Sequence, residues 1–233
     1  MPISPATLEL SSLATSPVLY SGERAGLLVT GDDRLSWLNG VLSNDLRNLD
    51  KTPQSAAVYS CALDRKGKLL GDVVTVLESS TGSTPRRLTV WLPASSRDSI
   101  LQLWQSMIVM EDVELAPCED LGLLAIQGSR GHELASQVGL RPAAYDDIGC
   151  GSGAIVVSAA SDLAAHQSAL EGLGARRVEL AMVQGLRIQA ARATYGTDVD
   201  VRNYIQEAGL QERAVSFTKG CYVGQETVAR LHW

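Results

Sequence analysis

Ser216-Phe217-Thr218-Lys219-Gly220-Cys221-Tyr222-Val223-Gly224-Gln225-Glu226-Thr227-Val228-Ala229-Arg230 is the most chemically loaded stretch of the chain. Cys221 has a cation two residues before it, Lys219, and glycines on either side, Gly220 and Gly224. A nearby ammonium stabilises a thiolate, and glycines let a bulky partner approach the backbone. Tyr222 and Val223 act the other way, because an apolar pair can anchor the turn and bury the sulfur. A buried cysteine behaving as a small hydrophobe is the commoner outcome. Alternation along the chain does not decide between a thiol facing a channel and one facing the core.

Outside this stretch, 233 residues, 45% hydrophobic and 20% charged, fit one large or two small domains. That length buries a core without a disulfide or metal staple. Twenty Lys and Arg stand against 26 Asp and Glu, a net charge of −6, which argues against direct binding to duplex nucleic acid or an anionic membrane. Aromatic residues at 5% are too few for a stacking platform on single strands. Cys61, Cys118, Cys150 and Cys221 lie far apart with no C-x-x-C pair, a pattern of reducing compartments rather than of a disulfide framework. With three histidines and no clustered cysteines, no protein-only zinc or iron–sulfur site assembles from local spacing. Residues 1–21 show neither the basic start nor the apolar centre of a signal peptide, and apolar runs such as 154–157 fall far short of the roughly 20 residues a membrane span needs. The expectation is a soluble, cytoplasmic protein.

Along the chain, residues 1–16 are polar and Ser-rich and read as a loosely held arm. Residues 26–30 read as a short buried strand, followed by Gly31-Asp32-Asp33 as turn and helix cap, with Leu35, Leu38 and Leu42 on one helical face. Lys51-Thr52-Pro53 breaks the chain. Residues 56–63 and 69–77 are alternating or β-branched runs joined by Asp64-Arg65-Lys66-Gly67-Lys68, which predicts a hairpin with a basic tip. That tip is either a solvated turn or an anion-facing rim. Residues 79–85 read as a flexible connection and 87–92 as a strand. Ile100, Leu103, Trp104 and Met107 then mark a helix capped by Ser95 or Ser96, with Trp104 in the core. Strand character resumes over 108–115, and Pro117 closes the unit. Further on, 121–127 and 153–158 read as strands, and 131–138, 161–173 and 178–191 as helices. The last of these has Ala181, Met182, Gly185 and Leu186 inward. His132 and His166 sit alone on polar faces. G-x-G-x-x-G, Walker A, H-E-x-x-H and G-x-S-x-G are all absent, and the Gly-rich 149–153 leads into a strand, unlike a phosphate cradle.

Lys219-Gly220-Cys221-Tyr222-x-Gly224-Gln225-Glu226 resembles the signature of the YgfZ family. These are folate-binding relatives of the glycine-cleavage T-protein, an aminomethyltransferase, and take part in iron–sulfur cluster maintenance and, through it, tRNA modification. Other segments agree in order: Asp33-Arg34-x-x-Trp37-Leu38-x-Gly40 with Ser43-Asn44-Asp45; Leu63-Asp64-Arg65-Lys66-Gly67-Lys68 leading to Asp72; Arg187-Ile188; Tyr195-Gly196-x-Asp198; and Glu207-Ala208-Gly209-Leu210. The resemblance covers residues 27–230. Ile205 stands where the family often has proline, and the C-terminal β-barrel common in the family is absent from this chain.

The resemblance implies an α+β fold of two lobes around a central channel, with residues 54–117 as an inserted lobe and 1–53 plus 118–233 as the other. The breaks at Pro53 and Pro117 agree with that division. It implies a bound cofactor, tetrahydrofolate or a one-carbon derivative. Glu207 would read the pterin ring, since a carboxylate can accept two N–H bonds from its amidine-like edge, and Asp72 would lie near the one-carbon site. Tyr195, Gln225 and Glu226 join Glu207 and Asp72 as folate-binding positions, and Cys221, Asp72 and Lys219 as catalytic ones. T-proteins have a related stretch that generally lacks the cysteine, so a thiol here points to iron–sulfur cluster assembly or repair. Iron–sulfur proteins or assembly factors are the implied partners. A true aminomethyltransferase and a non-catalytic binding scaffold are the alternatives.

Overall fold

A computed structural model describes residues 9–22, 24–80 and 86–233. The arm expected over 1–16 lies outside the described residues for its first eight positions, as do residues 81–85 of the connection expected over 79–85. Residues Leu10–Ala14 form a 3-10 turn. Two five-stranded sheets follow from the apolar runs. The first takes β1 (Val18–Ser21), β7 (Leu121–Gln127), β8 (Ala143–Ala144), β9 (Gly153–Ala159) and β10 (Arg176–Arg177), in the order β10-β1-β7-β9-β8. The second takes β2 (Arg24–Thr30), β3 (Ala56–Leu63), β4 (Leu69–Leu77), β5 (Leu88–Pro93) and β6 (Glu114–Pro117), in the order β3-β4-β5-β2-β6. Every pairing but β1 with β10 is antiparallel.

Both faces of each sheet are covered, which is why the strands read as nearly continuous apolar runs rather than strict alternations. Successive side chains point to opposite faces. On β5, Leu88, Val90 and Leu92 enter a core with α1 (Arg34–Val41) and α2 (Arg97–Gln105), while Trp91 points into a second core. On β9, Val156 packs under α3 (Gly131–Gln137) and α4 (Leu163–Gly172), while Ile155 and Val157 join the same second core. That second core is shared by the inner faces of both sheets and by α5 (Leu180–Gln189). Trp104 is buried, as its spacing predicts, edge-on to Trp37 at 6.1 Å between ring centroids. The chain ends with α6 (Gln211–Ala214) and α7 (Gln225–His232). Among the described residues no helix is long and apolar enough to cross a membrane, and the two sheets form no closed barrel.

Several expectations change. The second sheet runs across Pro53, where the inserted lobe was expected to begin: β2 pairs with β5 and β6, and α1 shares a core with α2. The Lys51-Thr52-Pro53 break is a loop within this layer. The strand expected over 108–115 starts only at Glu114. Before it, Glu111 accepts the backbone N–H groups of Val109 and Met110 at 3.0 and 3.1 Å, and Asp33 accepts that of Asp112 at 2.9 Å. These carboxylate bonds hold a loop in place of a ladder, and the same bond draws Asp33 away from capping α1. Helix α5 buries Leu186 and packs Met182 on the core as expected, but Val183 and Arg187 are buried as well and Ala181 is exposed.

Candidate functional site

A cavity of about 370 Å³ opens where the inner faces of the sheets meet α5 and the segment after it. Its charged residues, among those described, are Arg24, Asp72, Asp147, Arg187, Arg192 and Arg213. Asp72 reaches it through strand parity: on β4 it shares a face with Val74 and Val76, which enter the shared core. Tyr59 reaches it from β3, and Arg24 from the start of β2. The Arg24 guanidinium donates to Asp72 Oδ2 at 2.5 Å, and to the backbone oxygens of Asp72 and Trp91 at 3.2 and 3.4 Å. Among the described residues no donor bonds the second Asp72 oxygen.

Asp147, in the loop after β8, forms the second carboxylate centre. Burial by itself would raise its pKa, but the Arg187 guanidinium at 2.7 Å, with Arg24 and the Tyr20 hydroxyl at 2.5 Å, holds it down to about 2. Burial, with the Asp147 charge beside it, pushes the Tyr20 phenol well above its ordinary value. Tyr145, buried nearby, has a hydroxyl with no hydrogen-bond partner among the described residues. It faces a recess of about 30 Å³, lined in part by Arg24, Asp147 and Arg187 of the main cavity.

The residues singled out in the sequence divide between places. Asp72 and Tyr195 line the cavity, and burial raises the Tyr195 phenol. Glu207 does not line it: this exposed side chain accepts the Tyr204 backbone N–H at 2.7 Å and caps its own turn. Lys219 is buried elsewhere, with its ammonium donating to the backbone oxygens of Asn39, Leu42 and Asn44 at 2.5, 2.7 and 2.9 Å. Burial lowers its pKa to about 8. Three carbonyls engage all three of its protons, so its contacts join residues 39–44 to the C-terminal motif. Cys221, Gln225 and Glu226 line a separate open groove beside Trp37 and Met107, and the Cys221 side chain is exposed. Gln225 accepts the Tyr222 backbone N–H at 3.2 Å.

The hairpin tip is not an assembled rim of cations. Lys68 lies over the Tyr204 ring and donates to the Arg202 carbonyl, while Arg65 borders the groove. Among the described residues no three His, Cys, Asp or Glu side chains are placed to hold a metal. Arg24, Asp147, Arg192 and Arg213 were not singled out from the sequence, and Arg187 appeared there only as part of a motif. One signal was present: Arg187 follows Leu186 on the buried face of a helix, where an unpaired charge would be costly.

No family model matches the chain. It is 25% identical over 202 residues to an aminomethyltransferase of Bordetella petrii, covering 78% of this chain and 54% of the relative. It is 24% identical to the tRNA-modifying protein YgfZ of Colwellia psychrerythraea, covering 97% and 71%. It is also 24% identical to a mitochondrial iron–sulfur cluster assembly factor IBA57 homolog of Mycosarcoma maydis, covering 90% and 52%. The chain thus spans about half the length of most curated relatives named here. The crystal structure of the glycine cleavage system aminomethyltransferase T from Bartonella henselae superposes with a TM-score of 0.73 at 17% identity, over 96% of this chain and 65% of that one. The chain therefore has the aminomethyltransferase T fold, and its sequence is similar to the YgfZ-like relatives of those enzymes.

Proposed function

We propose that this chain binds tetrahydrofolate or a one-carbon derivative in the cavity and serves iron–sulfur cluster assembly or repair, with tRNA modification affected indirectly. The carrying observation is the charge of the cavity: among the described lining residues, four arginines stand against two aspartates, in a chain whose net charge is −6. Such a lining concentrates positive potential for an anionic ligand, and a folate carries glutamyl carboxylates. The Asp72 oxygen that no described residue bonds suits an N–H donor on the pterin, in a charge-assisted bond. The names of the YgfZ and IBA57 relatives supply the cellular role in this reading, and iron–sulfur proteins or their assembly factors are its partners.

The separation of Cys221 from the cavity favours a second reading, a folate-dependent aminomethyl transfer centred on Asp72 that needs no thiol. Calorimetric titration with tetrahydrofolate and its 5-formyl form tests folate binding, and saturable binding at one site is expected. A chain that takes up neither overturns it. Complementation of a strain lacking its own relative separates the two roles: restored iron–sulfur enzyme activity is expected, and restored glycine cleavage alone favours the transferase.

A further inference from the structure

Three of the four cavity arginines are paired with carboxylates: Arg24 with Asp72 at 2.5 Å, Arg187 with Asp147 at 2.7 Å, and Arg192 with Asp146 at 3.6 Å. Arg213 differs. Among the described residues no carboxylate lies within ion-pair distance of it, and its side chain makes one hydrogen bond, from Nη2 to the Asp146 backbone oxygen at 3.2 Å. Its guanidinium carbon sits 4.0 Å from the centre of the Tyr59 ring. A guanidinium stacked on an aromatic face and tied by one nitrogen is held in one orientation. Nε and Nη1 then remain as donors beside the cavity that Arg213 lines. Among the described residues, Arg213 is thus a cation without a carboxylate partner, already oriented beside the cavity.

We infer that Arg213 is the anchor for a carboxylate of the cavity's ligand, with Tyr59 as its platform. A planar guanidinium offers paired, parallel N–H donors that match a carboxylate's two oxygens. Binding there needs no existing ion pair to break, whereas an anion at Arg24 or Arg187 would compete with a buried aspartate. Under the proposed function this carboxylate belongs to the glutamyl end of the folate, so the ligand's identity rests on that reading while the anchor rests on the geometry of Arg213. The Tyr145 ring lies 6.3 Å from that of Tyr59, and its hydroxyl, without a hydrogen-bond partner among the described residues, is a further polar group near Arg213.

Fragments distinguish the two ends. p-Aminobenzoylglutamate carries the acidic tail without the pterin, and 6-methyltetrahydropterin the head without the tail. In Arg213→Gln, affinity for p-aminobenzoylglutamate is expected to fall at least tenfold, while 6-methyltetrahydropterin binds within twofold of the unaltered chain. Arg213→Lys, which keeps the charge without the planar fork, is expected to recover part of the loss. Thermal melts of both variants confirm folding, and a failure of Gln to fold leaves the Lys variant to make the comparison. Equal loss of both fragments, or no loss of the acidic one, overturns the anchor. So does an unaltered chain that binds neither, or that binds inorganic phosphate through Arg213 in preference to p-aminobenzoylglutamate. If p-aminobenzoylglutamate binds through Arg213 while tetrahydrofolate does not bind, the anchor stands and the folate reading falls.

Discussion

Gly67, at the tip of the β3–β4 hairpin, and Gly224, in the C-terminal motif, meet backbone to backbone. A Cβ on Gly224 would lie 3.0 Å from the Gly67 Cα and 2.6 Å from the Asp64 carbonyl oxygen. Both glycines are left-handed, with φ of +80° and +81°. Two motifs far apart in the chain are thus one structural joint, with α7 starting from it.

Gly224→Ala therefore combines a left-handed alanine with a close approach of two backbones. The loss is expected to be about 2–4 kcal/mol, from left-handed strain and overpacking together. Urea denaturation measures it; a loss below about 0.5 kcal/mol would show that the two segments part easily.

Lys219→Met leaves the carbonyls of Asn39, Leu42 and Asn44 without their donor. Hydrogen bonds to charged groups are worth about 1.5–3 kcal/mol each, though not additively, so about 2–4 kcal/mol of stability is expected to go. Binding of tetrahydrofolate, measured where the variant is still folded, should be kept. Full stability with abolished function would restore Lys219 to a chemical role.

Asp147 sets an acid limit. Its folded pKa, about 2, lies below the unfolded value of 3.8, so the unfolded state binds the proton first as pH falls. The stabilisation is complete above about pH 4 and is lost as pH drops towards 2, by about 2 kcal/mol in all. Asp147→Asn is destabilised at pH 6, and its deficit against the unaltered chain is expected to shrink across that window. Denaturation at stepped pH reads it, and a deficit constant from pH 6 to 2 would contradict the assignment.

Asp72 and Glu207 can be compared in one titration. Asp72→Asn is expected to weaken tetrahydrofolate binding about 10- to 100-fold, as for loss of a hydrogen bond to a charged group. Glu207→Ala, which alters an exposed turn, should change it less than about threefold. The reverse order would move the pterin site away from the cavity.

Cys221→Ser should shift the melting temperature by no more than a few degrees, the effect of about 1 kcal/mol in a chain this long, because the side chain is exposed. Tetrahydrofolate affinity should stay within twofold, since Cys221 lies in the other groove. Loss of complementation with both quantities intact would assign the thiol to a step beyond folate binding. A large fall in affinity would instead join groove and cavity.

Neighbouring residues suffice for much of this fold. The hairpin of 56–63 and 69–77 has its strand bounds and turn glycine in one continuous stretch, and α2 shows its buried face through Ile100 and Trp104, because strand parity and helical period depend on residues a few positions apart. The motif at 219–226 was legible as a motif for the same reason. Its contacts were not. Whether Cys221 faces solvent, or Lys219 meets carbonyls rather than ligand, depends on segments from residues 39–44 and 63–67 arriving beside it. The cavity is less local still. Arg24, Asp147, Arg187 and Arg213 stand singly among unremarkable neighbours, and their charges converge because two sheets present their inner faces to one space. The loop at 108–113 shows the same limit in reverse: its apolar residues suggest a strand, and carboxylates near and far in the chain take the hydrogen bonds a ladder would have used.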